Sequence, residues 1–310
     1  MGGARMDTVL ILVRQIAQMF LLAALGYLLF KGKKITQEGS RALGNILIYL
    51  ALPAVIVNSF LVERTAEHML GILYSAGAAA VLLLVSILLS RLFFRHDPIA
   101  AFAGAFSNPG FFGIPLILAS VGQGAVFYVA CFVAFLNIGQ WTYGVSIMTG
   151  RPILAGLQPG RLIRAPFIIA LLIGLALFLS GVTLPAPISG CLSAVAGLNT
   201  PLAMFTVGIY LAQTDLKRMF GRKKLYLLSL VRLVLIPLAG LLLLALLPAS
   251  LHAMKLALLL ALACPVGSNV AVYAQLHGKD YPYAVETVVL STLFSVVTIP
   301  LVVRLAELIW

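Results

Sequence analysis

Acidic side chains are scarce in this sequence. Nine Asp and Glu stand against 21 Lys and Arg among 310 residues, and charged residues of both signs make up only 10% of the chain. A soluble domain carries roughly 25%, so there is too little charge to cover a water-facing surface, and a soluble fold is excluded. Cysteine is as thin. Cys131, Cys191 and Cys264 lie far apart, in or beside apolar runs. At those spacings they make neither a metal site nor a disulfide framework, and they read as small buried hydrophobes. The four histidines, His68, His96, His252 and His277, are scattered, so no metal and no other cofactor is expected. Paired aspartates for a metal–diphosphate site, His-Glu-x-x-His and Gly-x-Ser-x-Gly are all missing, which sets an intramembrane enzyme aside.

What the chain has in abundance is apolar length. Hydrophobic residues make up 62% of it, in runs at about 7–30, 40–62, 66–94, 98–120, 124–148, 165–183, 187–213, 225–248, 254–277 and 282–309. Crossing a bilayer takes ~20 apolar residues per helix, so the chain holds ten spans with short loops and no stretch left for a soluble domain. Continuous runs, rather than the ten-residue alternation of a barrel strand, argue for helices. The first run lacks a basic stretch followed by a small-residue cleavage site and reads as a retained span. The fold expected is all-α and integral to the membrane.

A net charge of +12 raises nucleic acid as a partner, but the placement of the cations argues against it. Fifteen of them fall in the odd-numbered loops (Lys31, Lys33, Lys34, Arg41, Arg91, Arg95, Arg151, Arg161, Arg164, Lys217, Arg218, Arg222, Lys223, Lys224 and Lys279) and two, Arg64 and Lys255, in the even ones. That asymmetry is the positive-inside pattern. It puts the odd loops in the cytoplasm and both termini outside, in a multi-pass protein of the cell's inner (plasma) membrane. Its non-protein partner is then the lipid bilayer, with no nucleic acid.

The chain also repeats itself. Gly26, Phe30, Leu50 and Pro53 recur as Gly174, Phe178, Leu198 and Pro201 at an offset of 148, and Pro109, Gly122 and Thr142 recur as Pro265, Gly278 and Thr298 at 156. Five helices is an odd number, so the second half enters the membrane from the opposite side. The expectation is two inverted five-helix repeats, 1–148 and 165–310, joined by a cytoplasmic linker at 149–164.

The fourth run carries Ser107-Asn108-Pro109-Gly110-Phe111-Phe112-Gly113-Ile114-Pro115, and its mate in the ninth carries Cys264-Pro265-Val266-Gly267-Ser268-Asn269. Neither stays a regular helix, since each Pro removes a backbone donor and clashes with the preceding turn. Matched interruptions in two halves are the best sequence pointer to a transporter's binding site, because broken backbone at membrane depth is tolerated only against protein or a wet cavity. The half-helix N-termini after each break suit an anion; the carbonyl ends before it suit a cation. Asn108 and Asn269 are expected to face each other at the crossing.

At this point the sequence resembles a known family. Asn108 to Pro115, Phe127-Tyr128, Asn137-Ile138-Gly139-Gln140-Trp141-Thr142-Tyr143-Gly144, Pro265-x-x-x-Asn269 and the Ser291-Thr292, Ser295, Thr298-Ile299-Pro300 run are similar to the auxin efflux carrier family. The resemblance covers the whole chain. It implies inverted five-helix repeats with broken fourth and ninth helices crossing near the midplane. The long hydrophilic loop of plant PIN-type members is missing, so the chain is similar to the compact prokaryotic members linked to malonate, malate and related organic acids. The expected function is secondary transport of small organic anions by alternating access. The residues expected at the substrate are Ser107, Asn108, Gly110, Phe112, Gly113, Pro115, Asn137, Pro265, Gly267, Ser268 and Asn269.

Other polar residues have two readings each. Asn137 serves either the site or a bond to a neighbouring helix; Asn45, Asn58 and Asn199 read first as packing glue. Arg232, some ten residues into the eighth run, either pairs with a carboxylate or snorkels back to water. Glu286 either favours the N-terminus of the tenth helix or carries a coupling proton. Coupling to H+ or Na+ and a homodimeric assembly stay open. The competing function is a cation/proton exchanger or a sodium-coupled bile-acid-type symporter of related crossed-helix architecture. Exchangers of that kind usually need a buried carboxylate at the crossing, and Asp and Glu are missing from both breaks.

Overall fold

The computed structural model describes residues 3–153, 160 and 163–310; most of the expected linker, with Arg161, lies outside the described residues. The helices are α1 (Gly3–Lys31), α2 (Gln37–Ser59), α3 (Ala66–Phe94), α4 (Pro98–Ala105), α5 (Pro109–Ser120), α6 (Gln123–Thr149), α7 (Pro166–Ser180), α8 (Ala186–Gln213), α9 (Leu216–Gly221), α10 (Lys223–Ala245), α11 (Ala249–Ala263), α12 (Asn269–Leu276) and α13 (Tyr281–Ile309). Seven stretches among the described residues are long and apolar enough to cross a membrane: Thr8–Lys31, Gln37–Ser59, His68–Phe94, Gln123–Thr149, Ala186–Gln213, Lys223–Ala245 and Tyr281–Ile309; α5, α7 and α11 are shorter apolar helices. The fourth apolar run is the pair α4–α5 and the ninth the pair α11–α12.

The few acids have local duties. Asp97, Asp215 and Asp280 cap α4, α9 and α13, each accepting the backbone N–H three residues on, as a short polar side chain does at a helix start. Prolines inside the apolar runs leave a signature. Wide π-turns at Leu47–Ala51, Pro109–Gly113 and Val231–Leu235 each end two residues before a proline, Pro53, Pro115 and Pro237. Proline has no N–H for the ordinary ladder, and the backbone loosens just upstream of it.

Two groups of helices result. α1, α2, α7 and α8 pack chiefly on one another, and α3–α6 pack chiefly with α10–α13, which brings both breaks into the second group. The α1–α8 contact rests on Gly208: a Cβ there would run into the carbonyl of Ala23. In lipid, where apolar surface alone does not drive helices together, such small-residue contacts let backbones approach. α4 and α11 are both deeply enclosed, with Ile99 through Ala105 and Met254 through Ala263 all buried.

Three expectations are adjusted. The 214–224 loop contains the short helix α9, started by Asp215. Lys255 is buried rather than a loop charge, its ammonium 4.5 Å above the Trp310 ring. Of the cysteines, Cys264 is buried but Cys191 is exposed on α8.

Candidate functional site

The two breaks meet. Ser107 and Val266 form an antiparallel bridge, flanked by Asn108 N–H donating to Pro265 O (3.0 Å) and Gly267 N–H donating to Phe106 O (3.0 Å). Each broken segment therefore supplies the partners that the other has lost, which membrane depth demands. Gly267 is required here: a Cβ would stand 2.8 Å from Ser107 O. The Val266 N–H is taken by Ser291 Oγ of α13 at 3.0 Å, which gives the polar run of that helix a purpose.

A cavity of about 100 Å³ opens beside the bridge, lined by Ser107, Asn108, Pro109, Gly110 and Phe111, by Val133, Leu136, Asn137 and Gln140 of α6, by Gly267, Ser268 and Asn269, and from the other helix group by Ile48, Leu52, Pro166 and Phe167. A single water needs ~10–15 Å³, so there is room for a small solute. No lining residue is ionisable.

The cavity is instead rich in hydrogen-bond donors. Asn108 caps α5, its Oδ1 accepting Phe111 N–H at 3.3 Å, and its amide nitrogen takes no acceptor among the described residues. Asn269 Nδ2 donates to Gln140 Oε1 at 2.8 Å. Among the described residues that leaves Gln140 Nε2 buried with no acceptor, and Ser107 Oγ buried without a partner as well. A buried polar group left unpaired costs about 1–3 kcal/mol, so these donors await an acceptor. Asn137 Nδ2 bonds back to Val133 O of its own helix at 2.8 Å, in place of the neighbouring helix that its second reading supposed.

Of the eleven residues expected at the substrate, Ser107, Asn108, Gly110, Asn137, Gly267, Ser268 and Asn269 line the cavity; Phe112, Gly113, Pro115 and Pro265 do not. Phe112 and Pro115 are buried on the far side of α5's first turns, Gly113 backs onto Cys264, and Pro265 contributes its carbonyl to the crossing. Gln140 and the apolar wall of Leu52, Phe111 and Phe167 were not anticipated. Gln140 stands three residues after Asn137, on the same helix face, and that spacing was the available signal. Asn199, read as packing glue, is buried and donates Nδ2 to Gly110 O at 3.1 Å, so it steadies the first turn of α5 from α8.

Arg232 takes neither of its two expected roles. It is 0% exposed, its Nη1 donates to Gly104 O (3.0 Å) and Ala105 O (3.5 Å), and its Nη2 donates to Leu262 O. Those are the last carbonyls of α4 and α11. Each helix C-terminus carries about half a negative charge, so two of them together balance one guanidinium with no carboxylate present. The crossing thus has two poles: carbonyl ends satisfied by the chain's own cation, and donors facing a cavity.

Glu286 lies away from the cavity, 3% exposed, with Oε2 2.8 Å from Arg222 Nη1 and Oε1 3.7 Å from Arg218 Nε. Arg222 also stacks 5.2 Å over Tyr283, whose hydroxyl donates to Asp97 at 3.2 Å. The partners of Glu286 are therefore Arg218 of α9 and Arg222 just before α10, and the N-terminus of α13 is served by Asp280 instead.

The chain matches the family described as membrane transport protein over residues 11–160 and 153–303. It is 30% identical over 296 residues, 90% of this chain and 91% of the relative, to the protein named "Putative malonate transporter" of Rhizobium meliloti (strain 1021). A multi-pass helical membrane protein with a donor-lined cavity at two crossed breaks, matched along nearly its whole length, is a transporter rather than an enzyme, and the chain belongs to the membrane transport protein family of auxin efflux carriers.

Proposed function

We propose that this protein is a secondary transporter of small organic anions, dicarboxylates of the malonate kind among them, which holds its substrate at the crossing of α4–α5 with α11–α12. The observation that carries the reading is the pair of orphaned donors, Ser107 Oγ and Gln140 Nε2, beside Asn108 and Asn269 in a cavity with no acid. Carboxamides and hydroxyls bind a desolvated carboxylate without adding fixed charge, so the anion is held and still released. The cavity lies between the two helix groups, the arrangement that alternating access needs: when one group rocks against the other, the same residues face alternate sides. Ten spans in two inverted repeats, with the odd loops cytoplasmic and both termini outside the inner membrane, complete the reading.

The cation-exchanger and bile-acid-symporter alternative is disfavoured by Arg232, which occupies the carbonyl ends where a coupling cation would bind. Uptake into proteoliposomes with an organic-acid panel tests the proposal. Malonate or a near relative should accumulate when a proton or a sodium gradient is imposed. Transport of cations with no response to any carboxylate would overturn it. Orientation is tested separately: a thiol reagent unable to cross the membrane should label Leu184→Cys in intact cells and miss Lys34→Cys.

A further inference from the structure

A second cavity, about 740 Å³, lies where the end of α3, the start of α4 and the end of α6 meet. Arg91, Arg95 and His96 line it from one side, Tyr143 and Arg151 from the other. None of the three guanidiniums has an acidic partner among the described residues. The sequence offers none nearby either: no Asp or Glu occurs between Asp97 and Asp215. Asp97 itself is occupied by Ala100 N–H, Tyr283 and Lys224. Three like charges around one cavity repel each other unless an anion sits between them. Tyr143, which also lines the cavity, is 8% exposed, and its hydroxyl is buried with no hydrogen-bond partner among the described residues. A phenol without an acceptor in a basic pocket points to an oxyanion ligand.

The surroundings say which oxyanion. Leu88 and Leu92, which line the same cavity, are 57% and 71% exposed on the outer face of α3, an apolar track beside the cations. The loops concerned carry the positive-inside charge, so they lie at the leaflet where anionic lipids concentrate. We propose that this cavity binds a phosphate-bearing anion, the head group of an anionic phospholipid. Arg91, Arg95 and Arg151 surround its phosphate, Tyr143 donates to a phosphate oxygen, and an acyl chain lies along Leu88 and Leu92. The site is separate from the crossing and does not depend on which solute is carried.

Native mass spectrometry on the purified, delipidated full chain tests this. It is titrated with phosphatidylglycerol, with phosphatidylcholine, and with glycerol phosphate as the chain-free anion. Wild type should bind phosphatidylglycerol in preference to phosphatidylcholine. Each of Arg91→Gln, Arg95→Gln and Arg151→Gln should weaken that binding roughly fivefold; these exposed positions leave folding intact. Tyr143→Phe should weaken it as well, and Lys34→Gln, an exposed cation elsewhere, should not. Competition by glycerol phosphate at equal concentration, lost in the arginine variants, would keep the phosphate site and assign it to a soluble anion. Equal binding of the two lipids by wild type, or arginine variants that bind phosphatidylglycerol as wild type does, would overturn the proposal.

Discussion

In the break between α4 and α5, Asn108 turns its side-chain oxygen onto its own helix and caps it; in the break between α11 and α12, Asn269 reaches across to Gln140 on α6. The first break is steadied from outside by Asn199 on Gly110 O, the second by Ser291 on Val266 N–H. Asparagine is therefore a local cap in one break and a bridge between helices in the other. A carboxamide can serve both purposes because it carries an acceptor and a donor on one small group. Whichever atom is used for structure, the other is left to shape the cavity.

The largest effect should come from the residue that both breaks share. Arg232→Leu would leave the carbonyls of Gly104, Ala105 and Leu262 buried and unpaired, at about 1–3 kcal/mol each. Loss of the monodisperse peak in size-exclusion chromatography is the expected result, with Arg232→Lys intermediate because a single ammonium cannot span both helix ends as the planar fork does. A leucine variant that melts like wild type would show that the two ends need no shared cap.

Next come the two asparagines, which aspartate separates. Asn108→Asp keeps a side-chain acceptor for Phe111 N–H, and Asp caps helices as well as Asn, so the melting temperature should hold while affinity for the organic anion falls. Asn269→Asp faces Gln140 Oε1 with a second acceptor, so stability and affinity should fall together. Either alanine variant should weaken substrate binding roughly 10- to 150-fold, the loss of one hydrogen bond to a charged group. If the two aspartate variants behave alike in thermal melts and binding titrations, the difference drawn between the breaks is wrong.

Smaller effects should follow from the outer supports. Ser291→Ala strips the ninth break of one acceptor and Asn199→Ala strips the fourth of one donor, each worth about 1–3 kcal/mol by the same reasoning. The serine variant should loosen hydrogen-exchange protection around Val266 and leave α5 unchanged; the asparagine variant should do the reverse. Smallest of all is Glu286→Gln, which lies outside both breaks. It should alter the pH dependence of transport if that carboxylate carries the coupling proton. An unchanged profile with normal activity would leave it as the partner of Arg222.

Much of this was legible in the residues. Apolar runs located the helices to within a few positions, since run length is what a bilayer selects, and paired Pro and Gly marked both breaks because those residues cannot continue a regular helix. The role of Arg232 was not legible. Its acceptors lie 128, 127 and 30 residues away, and a charge in an apolar run says only that some partner exists. Gln140 was overlooked for a similar reason: a glutamine in a membrane helix is ordinary until Asn269 claims its oxygen and strands its nitrogen. Phe112 and Pro115 were included by proximity to the break, but a helix turns each side chain roughly 100° from the one before, so residues within one turn face different neighbours.

The Ser107–Val266 bridge is made of main-chain atoms, so the joint between the two breaks asks little of side chains beyond the glycine at 267 and the Ser291 hydroxyl on Val266 N–H. The main-chain bonds of the joint therefore survive a change of side chain at 107, 108, 268 or 269, whatever that change costs the cap and the bridge beside them. A lineage built on this chain could drift from one cargo to another by swapping those few groups. The scaffold's tolerance, and not a new fold, would be the source of the diversity.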